Sequence, residues 1–247
     1  MVQMLDICEL LRANTYPGRG IMLGLSEDGK RSVIAYFIMG RSENSRNRVF
    51  MNTDDGIRTE AFDPDKLSDP SLVIYNPVRS PGGITIVTNG TQTDTIAEYL
   101  RNGKDYSDAL YEWEFEPDPP IYTPRISGIV YDGGKYSLSI LKSVDGDPGC
   151  CCRYFFNYSE ATPGLGHFIS TYKSDGNPPP SFEGEPFRVA VDCGYRELAD
   201  KIWEAMDEHY KVALFVCETD ISTGKRESVI INKLGNGAAP GRNYDGT

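Results

Sequence analysis

The chain of 247 residues is long enough to bury a substantial core without disulfide help, as one large domain or two small ones. Its formal charge of −11 excludes the broad basic surface that a nucleic-acid backbone demands, and leaves room for a small anionic ligand in a focused positive pocket. No run of about 18 apolar residues occurs, so no membrane span is expected. Residues 1–12 carry Asp6, Glu9 and Arg12 without a signal-peptide pattern, and the chain reads as cytoplasmic.

In chain order, Met4, Leu5, Ile7, Cys8, Leu10 and Leu11 recur at helical spacing and predict a short helix over 4–12, ended by Asn14, Pro17 and Gly18. A strand over 21–25 and its return over 33–39 flank the turn Ser26-Glu27-Asp28-Gly29. Gly18, Gly20 and Gly24 enter a strand rather than a helix, so they are not a dinucleotide fingerprint. Then comes Gly40-Arg41-Ser42-Glu43-Asn44-Ser45-Arg46-Asn47-Arg48, whose local charge is 3 − 1 = +2 in an acidic chain. Forked guanidinium donors among Ser and Asn suit a phosphate or a planar carboxamide, and equally suit a solvated turn.

A hairpin over 49–52 and 57–62 is expected around Thr53-Asp54-Asp55-Gly56, then strands over 72–75 and 83–88. A helix over 95–101 follows, capped by Thr93 or Asp94 and stopped by Gly103. A further short helix is expected within 106–122, ahead of a proline-rich loop over 117–124. Strands over 126–131 and 136–142 flank Asp132-Gly133-Gly134, and more are expected over 153–158, 166–172 and 187–191. Leu198, Ile202, Ala205 and Met206 mark the apolar face of the longest helix, over 195–210. A hairpin over 212–218 and 227–232 closes a single domain, 1–234, and 235–247 reads as a loose tail. Many antiparallel strands with few helices mean an α+β fold, two sheets face to face with helices outside.

Cys8, Cys150, Cys151, Cys152, Cys193 and Cys217 form no CxxC pair, and His167 and His209 lack ligand spacing, so reduced thiols and no metal site are expected.

Five blocks in order carry a resemblance: Tyr16-Pro17-Gly18-Arg19-Gly20, the basic stretch 40–48, Tyr75-Asn76-Pro77-Val78-Arg79, Thr88-Asn89-Gly90-Thr91-Gln92-Thr93-Asp94, and Tyr122-Thr123-Pro124-Arg125-Ile126-Ser127-Gly128. Together they resemble the archaeal-type IMP cyclohydrolase family over residues 16–130, with the second half similar mainly in strand pattern. The resemblance implies an N-terminal-nucleophile-hydrolase-like αββα sandwich that closes a formamido-imidazole-carboxamide ribonucleotide to IMP. The implied partner is a purine ribonucleotide, with no nucleic acid, no membrane and no cofactor. Met1 is followed by Val2 and Gln3, so a self-processed terminal nucleophile is not expected. A non-catalytic nucleotide-binding module and an amide hydrolase on the same fold remain the alternatives.

By resemblance, Arg41 holds the carboxamide or formyl oxygen, Tyr75 gives a proton to the departing hydroxyl, and Glu116 accepts the amide proton. Arg41 as a structural ion pair, Tyr75 as a core aromatic and Glu114 as the acid in place of Glu116 are the competing assignments. Arg19, Arg46, Arg48 and Arg125, helped by Ser42, are the pool of phosphate ligands. Asn89, Gln92 and Thr93 are candidates for ribose or base contacts, with helix capping the alternative for Asn89 and Thr93, and Asn76 is a further substrate-binding candidate. Exposed edge strands and the aromatic stretch 106–115 offer a surface for a homo-oligomer.

Overall fold

Every residue of strand β1 (Arg19–Leu25) is buried, which requires a layer against each of its faces. The computed structural model describes residues 4–67, 70, 73–235 and 241–243. Strand alternation sends Ile21 and Leu23 of β1 to one side, and likewise Ile34, Tyr36 and Ile38 of β2 (Arg31–Met39), where they meet the second sheet. Met22, Val33, Ala35 and Phe37 point the other way, into a core closed by α1 (Ile7–Ala13) and α5 (Tyr195–Ala205).

The helix α2 (Glu43–Arg46) leads from β2 into the second sheet. That sheet runs β3 (Arg48–Thr53), β4 (Gly56–Ala61), β5 (Val78–Arg79), β6 (Thr85–Thr88), β7 (Arg125–Val130), β8 (Tyr136–Val144) and β9 (Asp147–Asn157) in simple sequence order. The first is ordered β11-β10-β1-β2-β12-β13-β14, with β10 (Leu165–Ser170), β11 (Phe187–Ala190), β12 (Lys211–Asp220), β13 (Arg226–Asn232) and β14 (Gly241–Asn243). Pairings between these strands are antiparallel; Ile21 lies opposite Tyr36 on one side and Ile169 on the other. Gly128 permits the sheets to touch, because a Cβ there would sit 2.8 Å from the Leu23 side chain.

The outer face of the second sheet presents Ile86, Ile129 and Leu141 to α3 (Gln92–Arg101) and α4 (Tyr106–Leu110), so the layers run helix, sheet, sheet, helix. The four-layer αββα arrangement is the one expected.

Several local expectations give way. Residues 73–75 of the expected strand over 72–75 are not a strand, and Leu72 lies outside the described residues. The turn at 73–75 is held to β4 instead, Thr59 donating its N–H to the Tyr75 carbonyl at 2.9 Å and its hydroxyl to the Val73 carbonyl at 2.7 Å. Helix α3 starts at Gln92, three residues early, because the Thr93 hydroxyl turns back to the Gly90 carbonyl at 2.9 Å and caps nothing. Helix α5 stops at Ala205: Met206 is extended, and the Asp207 carboxylate takes the N–H groups of His209 and Tyr210 to start a turn. The three adjacent cysteines belong to β9, which begins six residues ahead of the expected strand. Of the tail, Gly241–Asn243 pairs with β13, and 236–240 and 244–247 lie outside the described residues.

Candidate active site

The mouth of the sandwich beside the start of β1 holds the polar groups that the core cannot accommodate. Gly18 has φ +76°, and a Cβ on it would press into Thr171 and the Tyr172 ring. The open space lets Tyr172 stack on Tyr16, centroids 5.6 Å apart. Arg19 is pinned alongside, its N–H donating to Thr171 Oγ1 at 3.1 Å and its carbonyl accepting from the Thr171 N–H at 2.9 Å.

The opposite wall is the loop before β7. Asp118 organises it, accepting the Thr123 N–H at 2.7 Å and the Thr123 hydroxyl at 2.5 Å. With its own proton committed, Thr123 Oγ1 accepts from the Tyr172 hydroxyl at 2.8 Å and ties the two walls together. The Glu116 N–H donates to the Thr123 carbonyl at 2.8 Å, which carries the Glu116 carboxyl inward until the residue is only 2% exposed.

That carboxyl lies 3.9 Å from Arg125 Nη1 and within electrostatic reach of Arg19 and Arg48. Burial raises its pKa above the ordinary glutamate range, and Arg19 and Arg125 offset only part of the rise. For Arg19 burial opposes the charge, yet Glu116 and the neighbouring tyrosines outweigh it and hold the guanidinium well above its ordinary pKa. Arg125 and Arg48 are pushed the other way, first by burial; for Arg48 the Arg19 charge adds to it. The side-chain atoms Arg19 Nε, Arg48 Nη1 and Arg125 Nε are buried donors with no partner among the described residues. Each such donor costs about 1–3 kcal/mol unless a ligand meets it.

Arg41 stands at the rim with its guanidinium 4.1 Å from the centroid of the Tyr16 ring, donating to the Gly176 carbonyl at 2.6 Å and paired with Asp175. Ser42 caps α2 by accepting the Ser45 N–H at 3.1 Å, and Ser42, Asn44 and Ser45 complete the wall of a cleft of about 260 Å³.

Arg19, Arg41, Ser42 and Glu116 therefore line one hollow. Tyr75 lies behind it, its hydroxyl 2.8 Å from that of Tyr36. Arg48 is also set back, wholly buried, donating to the Ser45 carbonyl at 2.7 Å. Arg125 is fixed by Gln92 Oε1 at 3.0 Å and faces the Trp113 ring at 4.8 Å. Arg46 is not brought in: it leaves the opposite side of α2 and reaches His209. Asn76 turns away to Asp94.

Asn89 and Thr93 are buried in backbone-pinning contacts. Asn89 donates to the Pro124 carbonyl at 2.9 Å and accepts the Ile126 N–H at 2.9 Å, so its amide is spent on the β6–β7 connection. Glu114 is exposed, unlike Glu116. Sequence reading passed over Tyr16, Thr123, Asp118 and Tyr172. The first two sat inside the matching blocks as unassigned polar residues, whereas Tyr172 had no signal at all, since only the β1–β10 pairing brings it to Arg19.

Fold and cleft define a four-layer sandwich protein whose mouth brings the Arg19, Arg41 and Arg125 guanidiniums near the Glu116 and Asp118 carboxyls. The chain belongs to the IMP cyclohydrolase-like family, whose model matches residues 16–225. The IMP cyclohydrolase of Methanosphaera stadtmanae is 29% identical over 162 residues, covering 64% of this chain and 74% of that protein. That of Methanococcus aeolicus is 32% identical over 128 residues, 49% of this chain and 61% of the relative. That of Halobacterium salinarum is 32% identical over 133 residues, 52% and 63% of the two chains. The chain thus spans about three fifths of the length of the latter two relatives. No helix of the described residues is long and apolar enough to cross a membrane.

Proposed function

We propose that the protein is an IMP cyclohydrolase, closing 5-formamidoimidazole-4-carboxamide ribonucleotide to IMP with loss of water. The observation that carries the reading is the meeting of Arg19, Arg125 and the buried Glu116 carboxyl beside the cleft, in a chain of this family. Ring closure joins the carboxamide nitrogen to the formyl carbon, after which the new hydroxyl leaves as water and a ring nitrogen gives up its proton. The protein must therefore align two arms of one molecule, stabilise an oxyanion, and move two protons, one from the attacking carboxamide nitrogen and one from the formamido nitrogen, onto the oxygen that leaves as water.

Alignment in the cleft beside Tyr16, Tyr172 and Arg41 contributes most, since holding reactive groups together supplies up to ~7–11 kcal/mol of the barrier. Arg41 and Arg19 stabilise the developing oxyanion, worth about 3–4 kcal/mol for a well-placed donor. Glu116 is the group suited to take the nitrogen proton: burial makes its carboxylate more basic than a surface glutamate, and the nearby guanidiniums keep the ionised form accessible. Tyr75 serves the departing hydroxyl, with the Tyr36 hydroxyl at 2.8 Å to support it. Tyr36 keeps its own proton firmly, since burial raises its pKa well above the ordinary tyrosine value. Arg48 and Arg125 fix the charge of the cleft floor for the phosphate-bearing substrate.

The test is direct. Purified protein incubated with the formamido ribonucleotide, without added metal, should give the purine absorbance of IMP. Binding without turnover would leave a nucleotide-binding module, and release of formate would mark an amide hydrolase; either result removes the cyclohydrolase reading.

A further inference from the structure

On the far side of α2 from the candidate active site lies a second, larger cavity of about 480 Å³, a size typical of small-molecule sites. Its charged lining is Arg46, Lys66, Lys211 and Lys233 against Glu43 and Asp63, a formal balance of 4 − 2 = +2. In a chain of net charge −11 such a concentration of cations is unusual. Part of it is already compensated: Lys66 lies 3.7 Å from Asp63, and Glu208, which is highly exposed, takes Lys211 at 2.6 Å and Lys233 at 3.6 Å. Arg46 is different. Among the described residues no carboxylate pairs with it, and its Nη1 instead stands 3.5 Å from His209 Nε2. A guanidinium set against an imidazole rather than an acid leaves forked donors for an external anion. Phe62, also in the lining and 49% exposed, gives the cavity a flat apolar face on which an aromatic base can stack.

We propose that this cavity is a second nucleotide site, taking a nucleoside polyphosphate with its phosphates on Arg46, Lys66 and Lys233 and its base against Phe62. More than one phosphate fits because the cations come from separate elements, α2, the turn at Pro64–Lys66 and the end of β13, and ring the cavity rather than converging on one point. The site is distinct from the cleft but shares a partition with it. Ser42 and Ser45 of the α2 turn face the cleft, while Glu43 and Arg46 face the second cavity. Tyr210 bridges the same gap, edge-on to Tyr16 at 5.1 Å on one side and to His209 at 5.0 Å on the other. A nucleotide in the second cavity therefore presses on the wall that positions Arg41 and Ser42.

The experiment is calorimetric titration of the full chain with metal-free ATP, alone and with IMP saturating the first cleft, in the wild type and in Lys66→Glu and Lys233→Ala. The expected result is one ATP bound per chain in the presence of IMP, weakening at least tenfold in Lys66→Glu and falling with added salt, with IMP affinity unchanged in that variant. The proposal is overturned if IMP displaces ATP one for one, if both variants bind ATP as the wild type does, or if ATP does not bind at millimolar concentration. If the chain fails to bind IMP or to close the formamido ribonucleotide yet takes up ATP with this charge dependence, the proposed reaction falls and the second site stands.

Discussion

Glu116→Gln keeps the size of the side chain and removes only its charge and basicity. In the wild type that carboxylate is the buried acidic group set against Arg19 and Arg125, with Asp118 nearby, 3.9 Å from Arg125 Nη1 and 2% exposed. Breaking a buried pair by neutralising one partner costs about 3–5 kcal/mol when contact is close; the long separation here and the retained amide point to the lower part, about 2–3 kcal/mol. For a chain of this size that lowers Tm by roughly 5–10 °C. Turnover should fall about 10²- to 10⁴-fold, the contribution of a positioned general base, in the folded variant. The wild-type kcat profile should also carry an acidic limb: activity is lost as pH falls through the Glu116 pKa, which burial places above the ordinary glutamate range, and the limb vanishes in Glu116→Gln. Continuous absorbance assays across pH, paired with thermal unfolding, measure both quantities. A Glu116→Gln variant with wild-type kcat, or an exposed Glu114→Gln variant that loses as much, would refute the assignment.

Arg41→Ala should abolish most turnover, at least about 100-fold, yet shift stability by no more than about 1 kcal/mol, because its Asp175 pair is half-exposed; an inactive but unfolded variant by circular dichroism would contradict this. Tyr75→Phe removes a hydroxyl bonded at 2.8 Å to Tyr36, so denaturant titration should show a loss of about 1 kcal/mol and kinetics a fall in kcat with KM little changed; unchanged kcat would return Tyr75 to a packing role. His167 accepts from or donates to the Tyr136 hydroxyl at 2.7 Å and stacks on Tyr158, and burial pushes its pKa down from 6.5 to about 4. Between those values the unfolded chain binds the proton that the folded chain refuses, so stability rises with pH from 4 to 6.5, by up to about 3 kcal/mol. His167→Phe should flatten that slope in urea titrations, and a slope that persists undiminished would place its origin elsewhere.

The strands were largely readable because alternation marks them. Val33, Ala35, Phe37 and Met39 against Ile34, Tyr36 and Ile38 is a strand apolar on both sides, which demands a layer on each face, while the particular order helix, sheet, sheet, helix was implied by the family resemblance and not by periodicity. What failed was decided by contacts outside the local pattern. Val73, Ile74 and Tyr75 have strand propensity, but the Thr59 hydroxyl captures the Val73 and Tyr75 carbonyls and Pro77 lacks a donor, so pairing starts at Val78. Arg46 and Arg48 looked equivalent in sequence, two residues apart beside Asn47. The α2 turn separates them: Arg48 turns inward under Ser45, whereas Arg46 joins His209 on the other side. The preference for Glu116 over Glu114 rested on the family resemblance, since two glutamates two residues apart differ in nothing local, and it is the Asp118–Thr123 lock that turns Glu116 inward.

The arrangement of charge explains why the cleft belongs to a ligand rather than to the fold. Arg19, Arg48 and Arg125 enter from different elements, β1 and the first residues of β3 and β7, and each is at most 8% exposed. Among the described residues the carboxylate buried beside them is Glu116, 3.9 Å from Arg125 and too far for a tight pair, with Asp118 held nearby in the loop before β7. Buried guanidinium nitrogens without partners are a standing cost that packing alone would select against. Under the proposed function, a phosphorylated substrate that meets Arg19 Nε in the cleft offsets that donor's cost, while Arg48 and Arg125 act on it through their charge.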